Sequence, residues 1–263
     1  MEVRAKKALG QHFLTDQRIA RSIVESLPQA AEGTRKAVLE IGPGTGVLTR
    51  YLLEREDLDL RLIEIDGESV DYLLTHFPGM QGRLLQGDFL KLKPEKIFPE
   101  SFSVIGNFPY NISSQIFFKI LDYRDSVPEV VCMIQKEVAG RIAEKPGSKA
   151  YGILSVLLQA WYDIEFLFTV GPGSFAPPPK VVSAVIRLRR NSREALGCDE
   201  ALFKALVKTS FGQRRKTLRN SLKQFILGSG NPSLGSDPVF DLRPERLSVE
   251  DFVSLTLLLS EGK

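Results

Sequence analysis

A glycine-rich turn near residue 40 constrains the fold of this chain more than any other feature. Residues 38–41 have the length and apolar character of a buried strand, which ends directly at Gly42-Pro43-Gly44-Thr45-Gly46. From Val47 onward, apolar residues recur at helical spacing. Glycines allow the backbone to pass close to a ligand, and the N–H groups that open the helix then point at it. The sequence therefore predicts a strand, a tight turn and a helix, with a ligand bound at the turn.

Strand-like and helical segments continue to alternate along the chain. Further strand-like runs lie at residues 60–65, 83–87, 102–106 and 129–134. Such alternation is typical of an α/β fold with a mostly parallel sheet covered on both faces. Residues 162–170 and 181–188 have no helix between them, so we expect an antiparallel pair that ends the sheet. Beyond them only helical patterns remain, at residues 202–211, 214–227 and 249–259, and Ser248 and Asp251 are placed as a capping box at the start of the last. The sequence therefore predicts an α/β domain at residues 1–190 and a small all-helical domain at residues 191–263.

The composition argues against several classes of protein. The two cysteines, Cys132 and Cys198, have a spacing that fits neither a disulfide framework nor a zinc module. The two histidines, His12 and His76, are too few for a multi-histidine metal centre. No run approaches the roughly 18 apolar residues of a membrane helix, and the first residues lack the apolar stretch of a signal peptide. We therefore expect a cytoplasmic protein with no metal ion and no membrane contact.

The spacing of the glycines favours one type of cofactor. The dinucleotide fingerprint requires glycines at its first, third and sixth positions. Here the glycines are Gly42, Gly44 and Gly46, and the sixth position is Val47. This pattern favours a nucleoside-type cofactor without a pyrophosphate, and it makes a nicotinamide dinucleotide a distant alternative.

Acidic residues mark the ends of two more strands. Glu64 lies at the end of the second predicted strand, and Asp88 follows the third. Ligands of open α/β sheets bind at the carboxyl ends of the strands, where Glu64 can accept hydrogen bonds from ribose hydroxyls. Asp88 can accept a hydrogen bond from an adenine amino group, with Phe89 packing on the ring. Asp66 competes with Glu64 for the ribose role, but we expect it to cap the following helix.

The tetrad Asn107-Phe108-Pro109-Tyr110 follows the fourth strand. The exocyclic amine of a base is a poor nucleophile, because its lone pair is delocalised into the ring. Two acceptors, the Asn107 side-chain oxygen and a carbonyl near Pro109, can bind both amino hydrogens and favour a pyramidal nitrogen. Proline fixes the backbone there and removes a competing donor. Tyr110 can stack on the base, and transfer of a group to the amine then depends mainly on positioning.

These motifs, in this order, resemble those of S-adenosylmethionine-dependent amino methyltransferases. Three further segments narrow the resemblance to the rRNA adenine dimethyltransferase family, and within it to the enzymes that form N6,N6-dimethyladenosine in small-subunit rRNA. The segments are Gly10-Gln11-His12-Phe13-Leu14, the proline-rich run at residues 174–181, and the run Phe211-Gly212-Gln213-Arg214-Arg215-Lys216-Thr217-Leu218-Arg219-Asn220. The resemblance covers nearly the whole chain and implies a Rossmann-like sheet followed by a small helical domain.

The resemblance also implies roles for individual residues. It makes the following residues contacts of S-adenosylmethionine: Gln11, His12, Leu14, Gly42, Gly44, Glu64, Asp88 and Asn107. Asn107 would also contact the target amine, while Tyr110 and Phe175 would enclose the flipped adenine. His12 stands where members of the family also carry Asn, which implies binding rather than proton transfer.

Basic residues are concentrated in one part of the sequence. Residues 187–223 carry a net charge of +8, whereas the whole chain carries only +3. Within this stretch, Arg214, Arg215, Lys216 and Arg219 are expected to lie on one helix and to bind RNA phosphates. Arg4, Lys6 and Lys7 form a second basic cluster. A solvated helical face is the ordinary alternative for such a run.

The leading hypothesis is therefore an enzyme that transfers two methyl groups to N6 of each of two adjacent adenosines near the 3′ end of small-subunit rRNA. We expect a monomer that acts on rRNA within a pre-assembled subunit. One alternative is a large-subunit rRNA adenine methyltransferase of the antibiotic-resistance type. Another is a non-catalytic RNA-binding or transcription factor on a relic fold, which the complete set of Glu64, Asp88, Asn107 and Tyr110 disfavours.

Overall fold

In the computed structural model, which describes residues 3–260, most strands join one mixed sheet of seven strands in the order β4-β3-β2-β5-β6-β9-β7. Its strands are β2 (Lys36–Ile41), β3 (Leu58–Glu64), β4 (Leu84–Gln86), β5 (Ser103–Asn107), β6 (Glu129–Gln135), β7 (Tyr162–Val170) and β9 (Ser183–Arg190). A separate ladder pairs β1 (Phe13–Leu14) with β8 (Phe175–Ala176). The helices are α1 (Gln17–Glu25), α2 (Val47–Leu53), α3 (Gly67–His76), α4 (Ser113–Asp122), α5 (Lys136–Ala143), α6 (Ile153–Gln159), α7 (Glu200–Gly212), α8 (Leu218–Ser221), α9 (Lys223–Gly228) and α10 (Val249–Ser260).

The predicted parallel arrangement is confirmed. Strand β2 pairs in parallel with both β3 and β5, β3 pairs in parallel with β4, and β5 with β6. After β2, the chain adds β3 and β4 on one side of it, and then returns to add β5 and β6 on the other side. This reversal of direction opens a crevice at the carboxyl ends of β2 and β5. The central strands are apolar because both of their faces are covered; Val38, Leu39 and Val104 are all fully buried.

The last strand is antiparallel, also as predicted. Strand β9 runs antiparallel to β6 over its length, from Glu129 opposite Arg189 to Gln135 opposite Ser183. The buried carboxylate of Glu129 lies 3.6 Å from Arg189 and 3.2 Å from Lys36. Strands β9 and β7 are the two last strands at one end of the sheet.

The chain divides into two compact units, and the division differs from a single cut at residue 190. One unit contains residues 1–139 and 164–190, and the other contains residues 140–163 together with 191–263. The second unit is helical, and its aromatic core includes Tyr151 against Phe211 and Phe211 against Phe252. Helix α6 therefore groups with the C-terminal helices, because its apolar side chains are neighbours of theirs rather than of sequence-adjacent strands.

The predicted helix over residues 214–227 is wrong. Helix α7 ends at Gly212, residues 213–216 form a turn, and two short helices, α8 and α9, follow. Thr217 has extended backbone angles (φ −70°, ψ 159°), and the non-helical Leu222 separates α8 from α9. The apolar spacing across the break still matches a helical period, which is why the pattern alone did not show it. The predicted cap of α10 is confirmed, since Ser248 and Asp251 each bind the other's backbone N–H.

No helix within residues 3–260 is both long enough and apolar enough to cross a membrane. The same residues contain no group of three or more His, Cys, Asp or Glu side chains arranged to hold a metal ion.

Candidate active site

A cavity of about 300 Å³ lies in the first unit at the carboxyl ends of β2, β3 and β5. Four groups of residues line it: the glycine turn, the end of β3, the Asp88-Phe89 pair and the Asn107–Tyr110 tetrad. The N-terminal segment at residues 8–13 completes the wall. The structure therefore brings together the motifs that are dispersed in the sequence.

The glycine turn leaves space for a ligand on one side and contacts protein on the other. Gly42 lines the cavity and has a φ of +65°, and a Cβ added there would meet nothing within 4 Å. Gly44 has a φ of +56°, and a Cβ there would lie 2.9 Å from the ring of Phe13 in β1. The turn therefore presents bare backbone to the cavity and packs closely against the N-terminal segment.

The Glu64 carboxylate is held by backbone donors on both of its oxygens. The N–H of Gly44 donates to one oxygen at 3.0 Å, and the N–H of Asp66 donates to the other at 2.9 Å. Burial raises the pKa of Glu64, although these hydrogen bonds oppose the shift. Each carboxylate oxygen has a further lone pair, so Glu64 can also accept hydrogen bonds from ligand hydroxyls in the cavity.

Asp88 and Phe89 line the next part of the cavity. Asp88 accepts the N–H of Leu90 at 2.9 Å, which orients its carboxylate, and Phe89 is largely buried. Ile65, which our sequence reasoning missed, lies on the same wall and is 51% exposed. The sequence signal for Ile65 was its position as a large apolar residue directly after Glu64 at the end of a strand. An apolar side chain that is exposed at a cavity wall can contact the flat face of an apolar ligand.

The Asn107 side chain is oriented by the N-terminal segment. Its amide nitrogen donates to the main-chain carbonyl of His12 at 3.0 Å. Its Oδ1 receives no hydrogen bond from residues 3–260, so the acceptor end of the amide is available at the cavity. Pro109 follows at the cavity wall.

Tyr110 is held at its hydroxyl and on its ring. The hydroxyl is hydrogen-bonded to Ser183 of β9, and the ring stacks on His12 with centroids 5.5 Å apart. The pKa of Tyr110 is raised by burial, against the effect of the Ser183 hydrogen bond. His12 is itself held by a hydrogen bond from its Nδ1 to the Pro177 carbonyl at 2.9 Å.

Two predicted site residues do not line this cavity. Leu14 and Phe175 are paired across the β1–β8 ladder, and both side chains are buried in the hydrophobic core. Leu14 lines only a smaller void of about 30 Å³ next to the glycine turn. The structure therefore stacks His12, rather than Phe175, against Tyr110, because the ladder directs the Phe175 ring into the core.

Gln11 lies at the cavity as expected, where its side-chain oxygen accepts the N–H of Lys6 at 2.8 Å. Further lining residues that sequence reasoning missed include Ala8, Leu9, Gly10, Leu90, Asn111 and Ile112. These residues carry no charge or distinctive spacing that would have identified them.

Many of the clustered basic residues are paired with carboxylates that are distant in sequence. Arg219 lies 2.6 Å from Asp241, and Arg214 lies 3.9 Å from Glu245. Further such pairs are Arg187–Glu165, Arg189–Glu129, Arg190–Asp125 and Arg193–Glu250. Arg215 and Lys216 are exposed in the turn after α7. In the N-terminal cluster Lys6 pairs with Asp66, and the Lys7 side chain lies outside the described residues.

The lining of the cavity suits a nucleoside ligand. The open face of Gly42 allows close approach, Glu64 and Asp88 offer separate acceptors, and Ile65 and Phe89 provide apolar walls. Two separate acceptors suit the hydroxyls of a ribose and the amine of an adenine, and apolar walls suit the adenine ring.

Comparison with known proteins decides the family. The family model described as ribosomal RNA adenine dimethylase matches residues 2–234. The chain belongs to the ribosomal RNA adenine dimethylase family. Members of this family are adenine dimethyltransferases, so the chain is an enzyme.

Curated members of the family are similar over nearly their full length. A protein of Parabacteroides distasonis named ribosomal RNA small subunit methyltransferase A is 60% identical over 97% of this chain and 94% of its own. A protein of the same name from Cytophaga hutchinsonii is 55% identical over 98% of each chain.

Solved structures show that the fold is that of this dimethylase family. The crystal structure of a dimethyladenosine transferase from Plasmodium falciparum has a TM-score of 0.77 and 24% identity, and covers 95% of this chain and 98% of that chain. The 23S rRNA methyltransferase ErmE has a TM-score of 0.60 and 27% identity, and covers 95% of this chain and 98% of that chain. The fold is thus a Rossmann-like methyltransferase fold.

Proposed function

We propose that this dimethylase transfers methyl groups from S-adenosylmethionine to N6 of two adjacent adenosines near the 3′ end of small-subunit rRNA. The observation that carries the proposal is the orientation of Asn107, whose amide nitrogen is bound to His12 and whose oxygen is available at the cavity. The names of the most similar curated relatives support the small-subunit substrate.

The cofactor contacts follow from the positions of the lining residues. Glu64 binds the ribose hydroxyls, Asp88 accepts the adenine amine, and Phe89 and Ile65 pack on the adenine ring. Gly42 and Gly44 admit the cofactor against bare backbone, while Gln11 and His12 cover it from the N-terminal side. Leu14 supports this segment from the core.

Bound S-adenosylmethionine supplies an electrophilic methyl group on a sulfonium. The Asn107 oxygen and a main-chain carbonyl near Pro109 accept the two hydrogens of the target amine and turn its lone pair toward the cofactor. Both groups act by positioning, so a strong general base is not required. On transfer, the methyl carbon would exchange its bond to sulfur for a bond to N6, which leaves a neutral thioether, and the methylated nitrogen would give up one proton to water. One amino hydrogen then remains, and either acceptor alone can hold the nitrogen.

The target adenine stacks on Tyr110, whose ring plane is fixed by the hydrogen bond to Ser183. Stacking by Phe175 on the other face requires its ring to leave the core, where it is 4% exposed. His12 occupies a stacked position on Tyr110 in the described conformation.

The helical unit binds the RNA backbone. We assign Arg214, Arg215, Lys216 and Arg219 to this contact, with exposed Arg215 and Lys216 as its leading members. The substrate is rRNA within a pre-assembled small subunit, and the enzyme acts as a cytoplasmic monomer.

Incubation with methyl-labelled S-adenosylmethionine and undermethylated small subunits, followed by nucleoside mapping, tests the proposal. We expect label in N6,N6-dimethyladenosine at two adjacent positions, and loss of at least 100-fold in transfer rate for Asn107→Ala, because a positioning contact can contribute on the order of 3 kcal/mol. Circular dichroism controls for the folding of the variant. Absence of label from N6 of adenosine in the small-subunit rRNA, or near-normal transfer by Asn107→Ala, contradicts the proposal.

A further inference from the structure

The N-terminal segment is attached to the cofactor cavity through one buried carboxylate that neither the family motifs nor the proposed reaction assigns. The Asp66 side chain is 2% exposed and is hydrogen-bonded to the Lys6 ammonium group. Ser69 donates a hydroxyl to the other Asp66 oxygen at 3.0 Å. Asp66 is positioned as the N-cap of α3, but its side chain accepts no backbone N–H of that helix. The expected capping role is therefore not what this side chain does.

Asp66 is linked by hydrogen bonds to two residues that line the cavity. Its backbone N–H donates to Glu64, which faces the predicted ribose position. Its side chain binds Lys6, and the Lys6 backbone N–H donates to the side chain of Gln11, which also lines the cavity. A single residue thus connects the ribose-side carboxylate to the segment that covers the cavity.

The charges around this contact stabilise the ion pair between Lys6 and Asp66. Hydrogen bonds that Lys6 donates to Asp66 and Glu68, together with the negative charge of these residues, raise the pKa of Lys6 against the effect of burial. Burial raises the pKa of Asp66, but hydrogen bonds from Lys6, Ser69 and Gln11 outweigh it and the pKa is lowered. Both partners are therefore charged at neutral pH. Glu68 lies 3.1 Å from Lys6 and is exposed, so it adds only a weak attraction.

We propose that Asp66 is a positioning residue that, through its ion pair with Lys6, holds residues 10–12 of the N-terminal segment over the bound cofactor. The inference rests on the proposed use of S-adenosylmethionine. It predicts that this pair slows cofactor release and leaves the binding of rRNA unchanged.

Cofactor affinity, measured by calorimetry on the full chain, tests the proposal. We expect Lys6→Met and Asp66→Asn each to weaken S-adenosylmethionine binding about 10-fold, which corresponds to about 1.4 kcal/mol. The double variant should be no weaker than either single variant, because both substitutions remove the same interaction. Lys6→Arg should restore binding to within a factor of about two. The Michaelis constant for small subunits should not change in any of these variants.

A second readout follows the segment itself. Hydrogen exchange at residues 8–12 should accelerate in Lys6→Met without cofactor, while exchange in β2 and β5 stays slow. Lys36→Met is the matched control, since it breaks an ion pair with Glu129 in the same unit at a site that does not line the cavity. It is expected to leave cofactor affinity unchanged.

The outcomes separate the two proposals. If the unmodified protein does not bind S-adenosylmethionine, the proposed function fails. If the unmodified protein binds it and Lys6→Met and Asp66→Asn bind it equally well, the positioning role fails. Equal losses in Lys6→Met and Lys36→Met also overturn it, because they would indicate general destabilisation.

Discussion

Two buried carboxyl groups, those of Glu40 and Glu64, lie beside the glycine turn, and burial raises the pKa of each. Glu64 is oriented by two backbone N–H groups, whereas Glu40 is 1% exposed and accepts the Thr49 hydroxyl at 2.7 Å. Burial raises the pKa of Glu40 to about 8; Thr49 opposes this shift, and the charge of Glu64 adds to it. Glu40 is therefore mainly protonated at pH 7.

The raised pKa of Glu40 predicts a specific pH dependence of stability. Between pH 4.5 and about 8 the unfolded chain loses this proton while the folded protein keeps it, so the Glu40 contribution to stability falls as pH rises. Glu40→Gln removes that dependence. The variant should match the unmodified protein near pH 4.5 and gain relative stability by up to about 1.4 kcal/mol per pH unit up to pH 8.

Urea unfolding of both proteins at pH 5, 6, 7 and 8 measures this difference. Glu56→Gln is a suitable control, because Glu56 is an exposed carboxylate in the same unit. A constant difference between Glu40→Gln and the unmodified protein across these pH values contradicts the prediction.

At the scale of elements, the glycine turn and strand β1 form one contact. Gly44 requires a left-handed backbone, and its α-hydrogen side faces the ring of Phe13 at a distance that admits no Cβ. Phe13 in turn belongs to the β1–β8 ladder, and the residue before it, His12, supplies the carbonyl that orients Asn107. A change in the turn is therefore expected to reach the Asn107 amide through β1.

Gly44→Ala tests this connection. We expect about 1–2 kcal/mol of destabilisation and a loss of at least 10-fold in S-adenosylmethionine affinity, because the methyl group strains the backbone and displaces Phe13. Gly82→Ala is the matched control: its φ is +77°, in the same unit, and a Cβ there would meet nothing within 4 Å. Thermal unfolding and calorimetry separate the two effects. Equal affinity in the two variants would falsify the proposed contact.

The sequence predicted elements well where a local pattern determines them, and poorly where distant residues do. Short apolar runs predicted strands β2, β3 and β5, and the polar residues at the end of each run predicted the site. Both signals lie within a few consecutive residues. The break at Thr217, the burial of Phe175 and the Lys6–Asp66 pair were not, because each depends on neighbours that are remote in sequence. The helical grouping of residues 140–163 was missed for the same reason.

For the whole molecule, the charge of the folded protein differs from the charge along the sequence. The +8 segment at residues 187–223 contains several arginines whose carboxylate partners come from elsewhere in the chain. Surface pairs of this kind contribute little stability, but they reduce the charge available to a phosphate backbone. The RNA contact should therefore depend most on Arg215 and Lys216, which are exposed.

Salt titrations of rRNA binding test this ranking. Arg215→Ala and Lys216→Ala should each weaken binding and lower the salt dependence by about 0.7–0.9 in slope. Arg219→Ala should have a smaller effect, because Asp241 already neutralises this arginine. Asp241→Asn should strengthen binding by releasing Arg219. A larger loss from Arg219→Ala than from Arg215→Ala contradicts the ranking.

The division into two units also has a consequence for synthesis of the chain. The backbone passes between the units after residues 139, 163 and 190, so neither unit is a continuous stretch of sequence. On a translating ribosome, β6 emerges well before β9, its antiparallel neighbour, and α6 emerges before the helices it groups with. Both segments must wait for later residues before they can pack, and no single cut in the chain separates one complete unit from the other.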